Sequence, residues 1–272
     1  MKTAVLGLLD RVGLLDGVLR VRDRRRYMRL REVVERDERF VREGAPDGLP
    51  LPSPRLIYLV SRQYSPYAFY ESGVEGAKSL RGVLQRNGID VEALGSILDF
   101  GCGCGRVMRQ WKSLDGPRVF GTDYNPEPVA WCREHLTFAD VGQNGLAPPL
   151  SYADGSFDLV YAISVFTHLN ERLQRAWMRE LTRILTPNGH LLFSVHGPSR
   201  ADILDEEERR RFDAGELVLR HQGYEGGNLC SSFHPERYLR DDLCKDLEVV
   251  DYVELGASDA RQDYVLVRRK PG

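Results

Sequence analysis

Three glycines alternate with two cysteines in one short run, from Gly101 to Gly105. Residues 96–100 before the run read as a strand, and residues 106–114 after it read as a helix. Glycines at such a turn let a ligand approach the backbone, and the start of the following helix would supply oriented N–H groups. The third glycine comes one residue too early for the dinucleotide pattern G-x-G-x-x-G, and no G-K-[ST] follows as in a P-loop. The run therefore predicts a ligand-binding turn of another kind.

A carboxylate follows about 20 residues later, at the end of the strand predicted over 118–122, where Asp123 precedes Tyr124 and Asn125. A carboxylate at that place can accept hydrogen bonds from both hydroxyls of a ribose. The alternative is structural, since Asp123 could form an Asx turn or a helix N-cap before Pro126. Its distance from the glycine turn favours the ligand-binding interpretation.

Three histidines stand where a general base could lie. His168 follows a strand predicted over 158–163, His196 follows one over 190–195, and His234 lies in a later loop. Ligands of open α/β sheets bind outside the carboxyl ends of the strands, which favours the first two. The structural alternatives are a packing residue at a helix start for His168 and a loop cap for His234. The three could bind a divalent metal if they converged with an acid, but their spacing does not require it, and no metal site is predicted.

The cysteines invite a zinc or redox interpretation at Cys102 and Cys104, but no second pair stands at ligand spacing. We interpret these two as small residues that fill a tight turn. The chain has five cysteines, an odd number spread widely, which fits a reducing compartment better than a disulfide framework. We therefore expect a cytoplasmic protein.

The elements that position these residues follow from apolar runs that alternate with helical patterns. The alternation predicts an α/β fold in which helices cover both faces of a parallel sheet. The last two apolar runs are joined by a short loop, which predicts an antiparallel hairpin at one edge. The predicted strands cover residues 96–100, 118–122, 136–138, 158–163, 190–195, 247–255 and 263–268, and the predicted helical regions cover 56–94, 106–114, 126–135 and 170–185. The first helical region contains turn signals at Ser65-Pro66 and Asn87-Gly88.

The first 44 residues form a separate block. Apolar residues recur at helical spacing over 6–19 and arginines are dense over 20–42, so we predict two helices with a solvated, charged face. The following segment holds four prolines within 45–54 and reads as a linker. We divide the chain into an N-terminal extension with its linker, 1–54, and a main domain, 55–272.

The overall charge limits the classes of function. The 272 residues include 38 Lys and Arg against 40 Asp and Glu, a net charge of −2, which argues against a globally basic nucleic-acid binder. No apolar run approaches the roughly 18 residues that a membrane span needs. The apolar run over 4–9 is too short for a signal peptide.

Five ordered segments together resemble class I S-adenosylmethionine-dependent methyltransferases. They are ILDFGCGCGR (97–106), VFGTDYNPEPVAWCREHL (119–136), NGLAPPLSYADGSFDLVYAISVFTHL (144–169), ELTRILTPNGHLLFSVHG (180–197) and QDYVLVRR (262–269). The resemblance covers about residues 55–268. It implies a Rossmann-like, doubly wound, mostly parallel seven-stranded sheet with an antiparallel C-terminal hairpin and extra N-terminal helices. It also implies S-adenosyl-L-methionine as the cofactor.

The resemblance implies which residues would hold the methionine part of that cofactor. They are Asp99 and the turn residues Gly101, Cys102 and Gly103, with the backbone of Ile163 near the methionine amino group.

Other residues would hold the adenosine part. Asp123 would bind the ribose hydroxyls, Tyr124 would lie against the adenine, and Asn144-Gly145 would lie at its edge. The family more commonly has an aspartate at the Asn144 position. Arg62 and Tyr64, just before the core helix, are candidates to cover the cofactor.

We expect methyl transfer to a small-molecule acceptor, with a hydroxyl on a sugar or natural product as the first choice. Direct displacement needs alignment and exclusion of water, and a hydroxyl acceptor also needs a base. The signature [DN]-P-P-[FYW] of nucleotide N-methylation does not follow the fourth strand, where Ser164-Val165-Phe166 stands, and this argues against a nucleic-acid substrate. An insertion at about 198–245 would supply substrate walls.

Two other functions stay open. The first is methylation of a protein or nucleic acid that docks on the arginine-rich N-terminal helices, and the second is a non-catalytic cofactor-binding module. The N-terminal helices could also pair two subunits or close over the active site as a lid.

Overall fold

The computed structural model of the chain describes Met28, residues 31–227 and residues 229–270. The apolar pattern predicted to be helical over 6–19 lies outside the described residues. Residues 31–43 form helix α1, and Phe40 packs against the rings of Tyr67 and Tyr70 at centroid distances of 5.4 and 5.5 Å. None of the described helices combines the length and the apolar character that crossing a membrane requires.

Two helices precede the sheet, α2 at Pro54–Ser61 and α3 at Pro66–Arg86. Each begins with proline after a serine cap, because proline fits the first helical position and a hydroxyl satisfies a free N–H group. The hydroxyl of Ser53 accepts from the amide of Leu56 at 3.3 Å, and that of Ser65 accepts from the amide of Ala68 at 3.0 Å. The region predicted to be helical over 56–94 is therefore broken at Arg62, which has a left-handed φ of 57°.

Seven strands form one sheet in the order β3-β2-β1-β4-β5-β9-β8. The first five are mutually parallel, and β9 runs antiparallel to both β5 and β8. The doubly wound, mostly parallel sheet with its antiparallel C-terminal hairpin is thus confirmed. The strands of this sheet are β1 Ser96–Phe100, β2 Arg118–Asp123, β3 Ala139–Gln143, β4 Phe157–Ala162, β5 Leu185–Val195, β8 Leu247–Ala257 and β9 Gln262–Arg269.

The remaining described α-helices are α4 Pro126–His135, α5 Glu171–Ile184, α6 Glu206–Asp213 and the three-residue α7 Glu236–Tyr238, which continues into a π-helical turn at Leu239–Leu243. Within the predicted insertion, β6 Val218–Arg220 and β7 Ser231–Phe233 pair as a small antiparallel sheet.

Apolar layers cover both faces of the main sheet. On one face Trp177 of α5 stacks at a tilt on Phe100, with ring centroids 4.7 Å apart. On the other face Trp111 packs beneath α3 and donates a hydrogen bond of 2.8 Å to the hydroxyl of Tyr161. Fully burying such a side chain contributes on the order of 2–3 kcal/mol, so these layers fix the strands whose ends form the site.

Two predicted elements were wrong. The helix predicted over 106–114 is only a 3-10 turn at Met108–Trp111. The amide of Gln110 bonds to Val107, three residues back, and a Cβ on Gly73 of α3 would overlap the carbonyl oxygen of Arg106. That carbonyl therefore faces α3 instead of continuing a helix, and the glycine turn is not followed by an α-helix N-terminus.

The third strand begins at Ala139, after the stretch 136–138 predicted from its apolar residues. The amide of Leu136 bonds to Cys132 and thereby extends the end of α4. Strand β3 is an edge strand that pairs only with β2, and Val141 is its single buried residue. Its polar sequence gave no apolar alternation to detect.

The proline-rich segment predicted to be a linker is bonded to the 3-10 turn Met108–Trp111. Asp47 accepts from Nε and Nη2 of the buried Arg109 at 2.6 and 2.9 Å. Arg109 also donates to the carbonyl of Leu49 at 3.1 Å. The carboxylate and the guanidinium compensate each other's burial, so the segment has a defined path.

Candidate active site

A cleft opens at the carboxyl ends of β1, β2 and β4. It consists of two adjoining cavities of about 350 and 310 Å³, within the range of about 300–1,000 Å³ usual for small-molecule sites. We call them the outer half and the inner half. Both are lined by Val60, Gly101, Gly103, Ile163, Ser164 and His168.

The glycine turn forms the floor shared by the two halves. Gly101 and Gly103 have φ values of +80° and +52°, a region that side chains rarely adopt. A Cβ on Gly101 would overlap Val165, and one on Gly103 would lie 2.9 Å from Val60. The amide of Gly101 donates to the carbonyl of Thr122 at 2.8 Å, which ties the turn to the end of β2.

Asp123, at the end of β2, lines the outer half and is 9% exposed. Its Oδ2 accepts from the amide of Gly103 at 2.9 Å, and its Oδ1 accepts from the amide of Asn125 at 2.8 Å. Burial raises the pKa of Asp123, and these amide hydrogen bonds oppose the rise. Each carboxylate oxygen retains a second lone pair, so Asp123 can both hold the turn and accept from a ligand.

The other residues predicted for adenosine also line the outer half. Tyr124 is 43% exposed there. Asn144 and Gly145 lie at the end of β3, where Oδ1 of Asn144 accepts from the hydroxyl of Thr122 at 2.8 Å. Nδ2 of Asn144 donates to the carbonyl of Gly145 at 2.7 Å. This amide is therefore engaged with its own loop.

Arg62 lines the outer half as well, whereas Tyr64 does not belong to the lining of either half. Tyr64 stacks on Tyr58, with centroids 4.5 Å apart, and is 61% exposed.

Charged groups concentrate in the inner half. Asp99, Cys102 and Ile163 line it, and burial raises the pKa of Asp99 to about 7. Arg106 donates to the carbonyl of Ser72 at 2.8 Å and lies 2.6 Å from a carboxylate oxygen of Asp259, whose side chain is buried. The inner half can thus bind a ligand end that carries both charges.

His168 lies at the junction of the two halves. Its Nδ1 is 2.7 Å from the carbonyl oxygen of Cys230. Because a carbonyl only accepts, Nδ1 of the neutral ring must carry the hydrogen, and Nε2 keeps a lone pair that no other described residue occupies. Burial lowers the pKa of His168, and the Cys230 hydrogen bond opposes the change, so the ring is neutral at pH 7.

The other two histidines do not line the cleft. His196 lies beside His168 with perpendicular rings 6.4 Å apart, and burial lowers its pKa to about 4. His234 is fully buried, contacts the side-chain oxygen of Gln174 at 3.0 Å, and has a pKa lowered by burial to about 3. Within the described residues, no group of three or more His, Cys, Asp or Glu side chains is placed to hold a metal ion.

The five cysteines are free and buried. Cys132 of α4 approaches the glycine turn, where its Sγ lies 3.3 Å from the carbonyl oxygen of Gly103.

Sequence reasoning missed several parts of the lining, among them Val60, Trp177, Ser164 and the pair Gly226 and Gly227. Ser164 has a φ of +58°, a strained conformation for a residue with a side chain. Its amide donates to the hydroxyl of Ser194 at 2.7 Å, and its hydroxyl donates to Gln262 at 3.1 Å. Gly226 and Gly227, in the insertion, line the outer half, and only the general prediction of substrate walls at 198–245 pointed to them.

Comparison with known proteins places these residues in context. A family profile described as a methyltransferase domain matches residues 98–193. The chain is 32% identical to the 2-methyl-6-phytyl-1,4-hydroquinone methyltransferase of Synechocystis over 42% of its own length and 36% of that protein. It is 34% identical to the ribosomal protein L11 methyltransferase of Geobacter metallireducens over 37% of its own length and 32% of that protein. The chain thus spans about a third of the length of these curated relatives.

A solved structure has the same fold. A SAM-dependent methyltransferase from Methanosarcina mazei superposes with a TM-score of 0.52 at 19% identity, over 70% of this chain and 98% of that one. The likeness extends well beyond the residues matched by the family profile. Residues 98–193 therefore match a methyltransferase domain, and the seven-stranded sheet that contains them has the fold of an S-adenosylmethionine-dependent methyltransferase.

Proposed function

We propose that this protein binds S-adenosylmethionine and transfers its methyl group to the hydroxyl oxygen of a small-molecule acceptor. The observation that carries the proposal is the state of His168, a neutral histidine at the junction of the two halves with a free Nε2 lone pair.

The residues of the cleft fit the cofactor. Gly101 and Gly103 line both halves without a side chain, so a ligand could approach the backbone of the turn. Asp123 would hold the ribose hydroxyls in the outer half, and the charged lining of the inner half would hold the amino-acid end. When bound, the cofactor supplies a methyl group on a positively charged sulfur, which is the electrophile of the reaction.

His168 would act as the general base. As the acceptor oxygen forms its bond to the methyl carbon and the carbon–sulfur bond breaks, Nε2 takes the hydroxyl proton. S-adenosylhomocysteine, with the electron pair of that bond on its sulfur, would be the second product. The surrounding walls align the acceptor and exclude water, which is the larger part of catalysis in such a displacement.

The acceptor class is supported by shape and charge. The cleft is concave and of small-molecule size, and the net charge of −2 gives little attraction to nucleic acids. The names of the curated relatives do not decide the matter, since one acts on a hydroquinone and another on a ribosomal protein.

Two variants test the base. His168→Gln keeps a polar side chain but cannot take up the proton, so kcat should fall by about 10²–10⁴-fold while S-adenosylhomocysteine affinity stays within about threefold. His196→Gln changes the neighbouring ring outside the cleft lining and is the matched control, with kcat near that of the wild type. Equal kcat in wild type and His168→Gln would remove His168 as the base.

The acceptor class is tested separately with methyl-labelled cofactor and a cell extract. Label recovered in low-mass products of the extract supports the proposal. In a panel of pure compounds, more label on hydroxyl compounds than on amines supports it as well. Label recovered in the protein or nucleic-acid fraction contradicts it and favours a macromolecular acceptor.

A further inference from the structure

A turn over residues 223–227 in the insertion touches the part of the cleft proposed for adenosine. Gly226 and Gly227 line the outer half. A Cβ on Gly226 would lie 2.7 Å from Leu146 and 3.4 Å from the ring of Tyr124. The turn is therefore one wall of the cofactor cavity.

The same part of the insertion bonds to His168 from two sides. The amide of Gly226 donates to the backbone carbonyl of His168 at 2.9 Å. The carbonyl of Cys230 accepts from the ring Nδ1 at 2.7 Å. The backbone and the ring of the proposed base are thus held by residues about 60 positions later in the chain.

One carboxylate connects the turn to the helix that follows His168. Oε1 of Glu225 accepts from the amide of Gly223 at 2.9 Å and from Nδ2 of Asn170 at 2.7 Å. Asn170 is the N-cap of α5, where its Oδ1 accepts from the amide of Leu173 at 3.0 Å. Backbone hydrogen bonds lower the pKa of Glu225, so it is ionised at neutral pH and accepts strongly.

The segment 168–170 is also held by contacts to the carbonyl of Leu169. The hydroxyl of Ser232 donates to the carbonyl of Leu169 at 2.5 Å, and Gln174 donates to that carbonyl at 2.8 Å. The segment 168–170 is therefore fastened on both sides, and Glu225 provides its only side-chain link to the turn among the described residues.

We propose that Glu225 is a positioning residue that holds the 223–227 turn on Asn170, so that Cys230 keeps His168 in the tautomer with hydrogen on Nδ1 and a free Nε2. The inference rests on the proposed function only in taking His168 as the base. Without Glu225 the turn can leave Asn170, the Cys230 carbonyl loses its fixed position, and both ring tautomers become populated. The base would then be correctly protonated in only a fraction of molecules.

Nitrogen-15 NMR of histidine-labelled full-length protein reads this tautomer directly, and His168→Gln assigns its signals. Wild type should show hydrogen on Nδ1 of His168. Glu225→Ala should show a mixture of tautomers and about a tenfold loss of kcat, with S-adenosylhomocysteine affinity changed less than kcat. Glu225→Gln retains an acceptor oxygen. It should therefore keep the hydrogen on Nδ1 of His168 in most molecules and should have a kcat close to that of the wild type. Glu207→Ala, at an exposed position of α6, is the control.

The two proposals fail in different ways. If Glu225→Ala leaves the His168 tautomer and kcat unchanged, Glu225 is not a positioning residue, whatever the reaction. If the wild type binds no S-adenosylhomocysteine, the proposed function fails, while the tautomer comparison still tests the link from Glu225 to His168.

Discussion

Burial makes Asp99 an acid that changes charge close to neutral pH. The carboxyl belongs to β1, is 5% exposed and borders the inner half of the cleft. Desolvation raises its pKa to about 7, opposed by a hydrogen bond from Tyr161 and by the charge of Arg106. In the folded protein the Asp99 carboxyl is therefore mostly ionised, and able to attract a cation, only above about pH 7.

Cofactor binding should follow the ionisation of Asp99. The amino-acid end of S-adenosylhomocysteine carries an ammonium group, which the ionised carboxylate attracts and the protonated form does not. With a pKa of about 7 in the free protein, calorimetry should give a Kd about tenfold larger at pH 6 than at pH 8. Asp99→Asn should bind weakly with little dependence on pH. The same pH dependence in wild type and variant would mean that Asp99 does not contact the ligand.

Individual residues differ in how far the sequence could reveal them. Asp123 could be predicted because its position follows from the strand end and its distance from the glycine turn. The choice among the histidines could not, because it depends on tertiary partners. His168 meets the carbonyl of Cys230, 62 residues away, and His234 meets Gln174, 60 residues away. The sequence around each histidine therefore does not indicate which of the three rings lies at the cleft.

The glycine turn illustrates what an element of five residues must provide. Gly101 needs a left-handed φ of +80°, and a side chain there would overlap Val165. Gly101 lines both halves of the cleft, so the left-handed backbone and the absence of a side chain are both required at the cleft surface. Any change at this position affects folding and ligand access together.

Gly101→Ala should lower the free energy of unfolding by about 2–4 kcal/mol, through the left-handed backbone and the overlap, and should abolish cofactor binding. Gly82→Ala is the control, because Gly82 lies in α3 with nothing within 4 Å of its added Cβ. It should raise the free energy of unfolding by about 0.5–1 kcal/mol. Urea denaturation measures both. A Gly101→Ala protein as stable as the wild type would contradict the strain argument.

Elements with strong apolar periodicity could be predicted and weakly patterned ones could not. Helix α5 has an apolar face along its length, and its end positions differ from the predicted 170–185 by one residue at each end. The segment after the glycine turn also carries helix-forming residues, but tertiary packing overrides them. Its Arg109 is drawn to Asp47 of the proline-rich segment, and its Arg106 carbonyl faces α3.

The cleft exists only in the whole molecule, since its walls come from four distant parts of the chain. Val60 comes from α2, Gly101 from the glycine turn, Ile163 from beyond β4, and Gly226 from the insertion. Parallel strand order could be predicted from the alternation of elements, and it brings the strand ends together. The contribution of the insertion depends on how that loop folds back, which no periodicity in the sequence describes.

Binding of S-adenosylhomocysteine, measured by calorimetry on the full chain, tests the central claim most directly. Wild type should bind one equivalent, and Asp123→Ala should bind at least tenfold more weakly, because a buried charged acceptor for the ribose is lost. Asp140→Ala, an exposed carboxylate on β3 outside the cleft lining, should bind like the wild type, with thermal unfolding used to confirm that each variant is folded. No binding by the wild type, or equal affinity in folded Asp123→Ala, would contradict the account.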